Sequence, residues 1–193
     1  WRQVMELLDI VDTRGNPTGK TVERAEAHLN GIRHRTSHVW IYRIKDGKTQ
    51  ILLQKRCLRK DSFPGCYDIS SAGHIPAGDS YEVSAIRELQ EELGVVVGVE
   101  QLTACGFQSI DWDDEFHGIP YHDRQVTKVF VLRLDDYAET DFTVQESEVE
   151  SVRWMNFDEC VQAVRENTIP HCISMSELQL LGNGTDHLKL IED

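Results

Sequence analysis

Hydrophobic and polar positions alternate along this chain in two periods. The run His38-Val39-Trp40-Ile41-Tyr42-Arg43-Ile44 is rich in β-forming residues. Lys45 to Lys48, centred on Asp46-Gly47, reads as a turn into a second strand from Thr49 to Gln54, which makes a hairpin. Val4 to Val11 is apolar enough for a strand, and Thr13 to Gly19 is a dense turn signal. Residues 20–37 are polar and mixed, a connection with one helical turn. Further strands are expected at Tyr67 to Ser71, Gln125 to Leu134 and Ser151 to Met155, and Val95 to Val99 also has β-type composition. Residues 80–93 form the clearest helix. Ile86, Leu89 and Leu93 recur at three- and four-residue steps, Asp79 or Ser80 can cap the start, and Gly94 can close the end. Asn156 to Asn167 and Ser174 to Leu181 read as further helices, whereas 111–124 and 135–150 read as acidic loops. Strands and helices mix without regular βαβ alternation, so the expected class is α+β.

Composition narrows the function. The 193 residues carry 20 Lys+Arg against 33 Asp+Glu, a net charge of −13. Such a surface repels phosphate backbones, so nucleic acid is a poor partner. No apolar run approaches the roughly 20 residues that span a bilayer, so a membrane helix is not expected. The length predicts one domain over 1–193, with an N-terminal strand and turn extension over 1–36 and C-terminal helices over about 156–193. Residues 1–36 and 160–193 could support a homodimer. The five cysteines are odd in number and none are at C-x-x-C spacing, which argues against a disulfide framework or a thiolate zinc site. Reduced thiols and the absence of a secretory pattern at the N-terminus predict a cytoplasmic protein.

The chemistry concentrates between Gly73 and Val95. On a helix, Glu88 and Glu92 are one turn apart and Glu91 lies beside both. Like charges at this spacing repel, and a hard divalent cation such as Mg2+ or Mn2+ would relieve them. Arg87, four residues before Glu91, can hold a carboxylate in place. The segment resembles the Nudix box, G-x5-E-x7-R-E-U-x-E-E-x-G-U with U a bulky aliphatic residue. Gly73, Arg87, Glu88, Leu89, Glu91, Glu92, Gly94 and Val95 match at the right spacing, and only Asp79 departs, standing where the box has Glu. The resemblance implies the Nudix fold, an α/β/α sandwich with a mixed sheet, and hydrolysis of a small organic diphosphate linked to a moiety X. It implies Glu88, Glu92 and the Gly73 carbonyl as metal ligands, and Glu91 as a third ligand or as the catalytic base supported by Arg87. Glu146 or Glu148, from a distal loop, is the alternative base.

The likeness extends outside the box. Leu8-Asp9, Gly15, Gly19, His34-Arg35, Leu53-Gln54-Lys55-Arg56, Phe63-Pro64-Gly65-Cys66-Tyr67-Asp68, and Glu148-Val149 with Trp154 are similar to the isopentenyl-diphosphate-isomerase-like branch of Nudix proteins. They are also similar to the Nudix domain fused to some dipeptidyl-peptidase-III-type proteins. Isomerases of that branch need a Cys and a Glu for proton chemistry, and here those positions align with Ala72 and Gln125, which cannot supply it. Hydrolysis is therefore the expected reaction; isomerisation and a non-catalytic nucleotide-binding module are the rivals. His34 and His74 match two metal-binding histidines of the isomerase pattern. With His38 they could bind Zn2+ or Mn2+ if they came together, or they could simply pack and hydrogen-bond locally. Lys55, Arg56, Arg59 and Lys60 form a basic cluster in which Lys55 and Arg56, with His74, are candidates for the substrate phosphates. Trp112 and Phe116 are candidate stacking residues for X.

Overall fold

The computed structural model describes residues 6–190. Five strands in the order β5-β4-β3-β8-β7 form the body of a seven-stranded sheet, with β6 on β3 and β9 on β4. The strands are β3 (His34–Lys45), β4 (Lys48–Arg56), β5 (Tyr67–Asp68), β6 (Ser71–His74), β7 (Thr103–Phe116), β8 (Ile119–Arg133) and β9 (Val149–Asn156). Only β3 and β8 pair in parallel, so the sheet is mixed. A separate hairpin, β1 (Leu7–Val11) with β2 (Pro17–Glu23), precedes it.

The sheet is apolar on both faces because it is covered on both. Val39 and Ile41 of β3, Leu52 of β4 and Phe130 and Leu132 of β8 pack against Ala85, Leu89 and Leu93 of α2 (Tyr81–Leu93). The alternate residues, Trp40, Ile51, Leu53, Val129 and Val131, pack against α3 (Phe157–Glu166) and α4 (Met175–Leu180) through Phe157, Cys160, Val164 and Leu178. Period-two alternation with both faces buried is what the near-continuous apolar strands encode. The result is the α/β/α sandwich with a mixed sheet. Among the described residues no helix is long and apolar enough to cross a membrane.

Several elements depart from the sequence pattern. The segment 20–37 holds the second half of β2, then α1 (Arg24–Asn30) and the start of β3, rather than a connection with one helical turn. In α2 the apolar stripe is Ala85, Leu89 and Leu93, and Ile86 is only half-buried. Val95 to Val99 is not a strand. It buries Val95 against α2 but has no neighbouring strand to pair with. The acidic segment 111–124 is not a loop but the far half of a long hairpin, turning at His117-Gly118, both with positive φ. Its charges face each other across the strands: Asp111 opposes Arg124 and Asp113 opposes His122. Such cross-strand pairing stabilises a hairpin whose composition alone reads as loop. Of the expected Val4 to Val11 strand, Val4 lies outside the described residues and Leu7–Val11 is β1.

One junction decides where a cavity opens. β3 and β4 pair only from Tyr42 to Lys45, and then part. β6 takes β3 from Thr36 to Val39, and β5 takes β4 at Gln54 and Lys55. The fully buried Ser70 sits between β5 and β6, at the fork. Its hydroxyl accepts from the Ile41 N–H at 2.8 Å and donates to the Leu52 carbonyl at 2.6 Å. It thereby satisfies two backbone groups that the parted strands cannot give each other. Ser70→Ala leaves both unpaired. Urea unfolding should show a loss of about 1–3 kcal/mol.

Candidate functional site

The site begins at the start of α2. The Ser80 hydroxyl accepts from the Val83 N–H and caps the helix, and Gly94 closes it in the left-handed conformation at φ 69°. Between these ends the three glutamates have different surroundings. Side-chain exposure is 55% for Glu91 and 17% for Glu88, while residue Glu92 is only 7% exposed. The three carboxylates expected side by side on the helix are therefore not equivalent, because Glu92 is turned inward. Its Oε2 accepts from the Ala72 N–H of β6 at 3.2 Å. Burial pushes the Glu92 carboxyl up to about 8, against the hydrogen bond from the Ala72 N–H, and the charge of Glu88 adds to the rise. Burial also raises Glu88, against the pull of Arg87.

Arg87 organises this end. Its Nη2 donates to Glu88 Oε1 at 2.9 Å and to the His74 carbonyl at 3.3 Å, and its Nη1 reaches Asp79 Oδ2 at 3.5 Å. The Asp that replaces the box Glu therefore still engages Arg87, at the limit of hydrogen-bond distance. Gly73 is required by space: a Cβ there would collide with the Glu88 side chain. The β6 backbone and the Glu88 carboxylate thus lie against each other. Two crowded, partly desolvated carboxylates beside a bare backbone form an all-oxygen donor set, suited to Mg2+ or Mn2+.

These residues line one end of a cavity of about 970 Å³, which also takes in Arg56, His74, Trp112, Gln125 and Glu148. Arg56 is held by Asp68 at 2.9 Å and by Ser62. Lys55 is not among the lining residues. It pairs with Glu150 on an exposed surface, so the structure does not bring it to the site. Of the distal glutamates, Glu148 lines the cavity paired with Lys60, while Glu146 is absent from the lining and only its backbone carbonyl accepts from Arg59. Trp112 lines the cavity, with ring centroids 5.5 Å from Phe63 and 5.6 Å from Tyr121, while Phe116 lies on the Tyr121 side, outside the lining. Ala72 and Gln125 both face it, and the Gln125 amide is tied to Asp123 at 2.6 Å.

A second cluster lies beside the first. His28, His34 and His74 bring ligand atoms within 4.8 Å of one another, and all three residues are largely buried. His28 Nε2 and His74 Nε2 are 3.1 Å apart. His34 Nδ1 is turned to the Ile32 carbonyl, which leaves its buried Nε2 without a protein partner, and His28 Nδ1 has none either. Burial pushes His28 down to about 3, helped by His34 and Arg24, and depresses His34 and His74 as well. Neutral imidazoles with converging nitrogens, among them the orphaned Nε2 of His34, could hold a borderline cation such as Zn2+ or Mn2+. Asp123, pushed up to about 6 by burial, lies 3.6 Å from His28 Nδ1.

The third member is His28 rather than His38. A strand advances about 3.3 Å per residue, so His38 stands roughly 13 Å along β3 from His34, too far to share an ion with it. His38 bonds Glu177 instead. The only sequence hint of His28 was the helical turn expected within 20–37. Glu177, deep in α4, gave no signal of its own.

A family model described as the NUDIX domain matches residues 34–172. Nudix hydrolase 3 of Arabidopsis thaliana is 38% identical over 158 residues, 80% of this chain, although the chain spans only 20% of that protein. An uncharacterised Nudix hydrolase of Clostridium acetobutylicum is 34% identical over 80% of this chain and 71% of its own length. An isopentenyl-diphosphate Delta-isomerase 2 of Photorhabdus laumondii is 28% identical over 78% of this chain and 77% of its own. The crystal structure of DR0079 from Deinococcus radiodurans shares the fold with a TM-score of 0.62 at 19% identity, covering 91% of this chain and 98% of that one. With the box residues gathered at one cavity and the family match extending over most of the sequence, the chain belongs to the Nudix hydrolase family.

Proposed function

We propose that this protein hydrolyses the diphosphate bond of a small organic diphosphate, with Mg2+ or Mn2+ held by Glu88, Glu92 and the Gly73 carbonyl and with Glu91 beside them. The observation that carries this reading is the contact of Glu88 and Glu92 with the β6 backbone, where a Cβ at Gly73 would displace Glu88. Such a cation, when bound, neutralises charge on the diphosphate oxygens and activates water. Arg87 fixes Glu88 and ties it to β6 through the His74 carbonyl. Glu91, exposed, lining the cavity and only loosely paired with Arg87 at 3.9 Å, is the group placed to take a proton from water; Glu148 is held closely by Lys60. Arg56 presents a guanidinium fixed by Asp68 towards the substrate. An isomerase reading finds Ala72 and Gln125 where its proton donors and acceptors must stand.

Phosphate release should be followed over nucleoside diphosphates, nucleotide sugars, CDP-alcohols and isopentenyl diphosphate with Mg2+ or Mn2+. Turnover of at least one member should fall by about 100-fold or more in both Glu91→Gln and Glu92→Gln. Turnover that survives Glu92→Gln would remove the box carboxylates from the mechanism.

Glu92 also sets a pH dependence in metal-free protein. Its folded pKa of about 8 stands above the ordinary carboxylate value, so the folded chain keeps a proton that the unfolded chain releases. The contribution of Glu92 to stability is therefore greatest below the ordinary carboxylate pKa and is lost as pH rises towards 8. In EDTA, melting temperature should decline over that window, the decline should flatten in Glu92→Gln, and Mg2+ should restore stability at the alkaline end.

The same reading places a second cation, Zn2+ or Mn2+, on His28, His34 and His74. Elemental analysis of purified protein should find a tightly held equivalent that His74→Ala loses, with a lower melting temperature.

A further inference from the structure

Beyond the box carboxylates, much of the cavity lining is polar. Thr36 and Gln54, each 3% exposed, and His38, Arg56, Asp68 and Gln125 lie along it. Thr36 and Gln125 are spent on each other, with the Thr36 hydroxyl donating to Gln125 Oε1 at 3.1 Å. His38 is supported differently. Behind it, outside the cavity, Glu177 of α4 is buried with a side-chain exposure of 5%. Its carboxylate accepts from His38 Nδ1 at 2.9 Å, from Trp40 Nε1 at 2.9 Å and from the Gln108 amide.

A buried carboxylate is an expensive way to fill a core, since an apolar side chain of similar volume packs there at lower cost. What this one does is turn the His38 ring. With Nδ1 committed to Glu177, Nε2 is the nitrogen left for the cavity, and it is not among the buried atoms without a partner. Burial alone would strip the proton from this ring, but the charge and hydrogen bond of Glu177, with Asp68 and Asp123 beyond, outweigh it and raise its affinity for the proton. Protonated, Nε2 donates to an oxygen; neutral, it accepts from a hydroxyl. A hydroxyl group satisfies either state.

We propose that His38, oriented by the buried carboxylate of Glu177, is the specificity-determining residue for the X group, and that X is polyhydroxylated, a sugar or nucleoside, and not a hydrocarbon. This rests on the hydrolase reading, which puts the diphosphate at the Glu88 and Glu92 end and so puts X against His38, Gln54 and Asp68. A hydrocarbon there would strip water from these groups and return no hydrogen bond, and sites built to hydrogen-bond reject such ligands far more strongly than apolar pockets reject an added hydroxyl. Trp112 and Phe63, which also line the cavity with ring centroids 5.5 Å apart, offer an apolar surface for a ring.

The test is binding, which does not require turnover. The methylene-bridged analogues of ADP-ribose and of isopentenyl diphosphate, neither cleavable at the bridge, are titrated calorimetrically in Mg2+. The ADP-ribose analogue should bind at least about tenfold more tightly. His38→Leu should bring the two affinities within about threefold, and His38→Gln, whose amide can still meet a hydroxyl, should recover part of the preference. Glu177→Gln should lower the pH at which the His38 imidazole titrates by NMR, which reports their pairing, and should reduce the preference, which a merely structural role would leave unchanged. If His38→Leu does not fold, His38→Gln and Glu177→Gln carry the test. Equal or reversed affinities, no binding of the ADP-ribose analogue, or an unchanged preference in the folded variants would overturn the proposal. Preference without turnover of any diphosphate would sink the hydrolase reading alone, and hydrolysis with a preference for the prenyl analogue would sink this one alone.

Discussion

The parting of β3 from β4, bridged by the Ser70 hydroxyl, is the constraint on which the site depends. A continuous β3–β4 ladder would put strand where the cavity is. The fork lets β6 run along β3 and β5 along β4, so two short strands diverge from one buried serine. Backbone groups at such a split must find partners, because burying them unpaired would forfeit much of a domain's net stability. One side chain with a donor and an acceptor is the smallest solution, and Ser fits where Thr would add a methyl to a packed junction.

From that fork the carboxylate end follows. β6 carries Ala72, Gly73 and His74 in succession along the second half of α2. Ala72 offers its N–H to Glu92, Gly73 offers a surface without a Cβ to Glu88, and the His74 carbonyl takes Arg87. Each box residue is therefore positioned by β6 as much as by its own helix. Left without a cation, the arrangement is electrostatically poor: burial and the charge of Glu88 hold a proton on Glu92, and Arg87 alone offsets the charge of Glu88. That tension separates a site built for a divalent ion from an acidic helix face, where the glutamates would all be solvated like Glu91.

How much of this was legible in the sequence depends on the range of the interaction. The spacing from Gly73 to Val95 is local, so the helix, its Ser80 and Gly94 ends and the box could be read directly. The β3–β4 hairpin was visible because Asp46-Gly47 announces it. The β7–β8 hairpin was not, because its signal is pairing between charges some ten residues apart in sequence, and Asp111, Asp113, Arg124 and His122 read singly look like loop. Ile86 misled because helical spacing places it near the core stripe, but the sheet meets Ala85. His28 and Glu177 were invisible for a further reason: their roles exist only after α1 and α4 have docked on β3 and β8. Lys55 shows the converse, a cation adjacent in sequence to Arg56 but on the opposite side of its strand, and so turned to Glu150.

The two metal-suited clusters meet on β6, and this limits how independent they can be. Gly73 lies against Glu88, while the next residue, His74, sends its ring to His28 and His34 and its carbonyl to Arg87. A shift of β6 that tightens the imidazoles about an ion must move the Arg87 anchor and the Gly73 backbone with it. The depressed basicity of the three histidines works in the same direction, keeping the rings neutral and the cluster free of like-charge repulsion next to a strand that must hold still. The imidazole cluster can therefore influence hydrolysis without touching substrate, by fixing the strand against which the carboxylates are set.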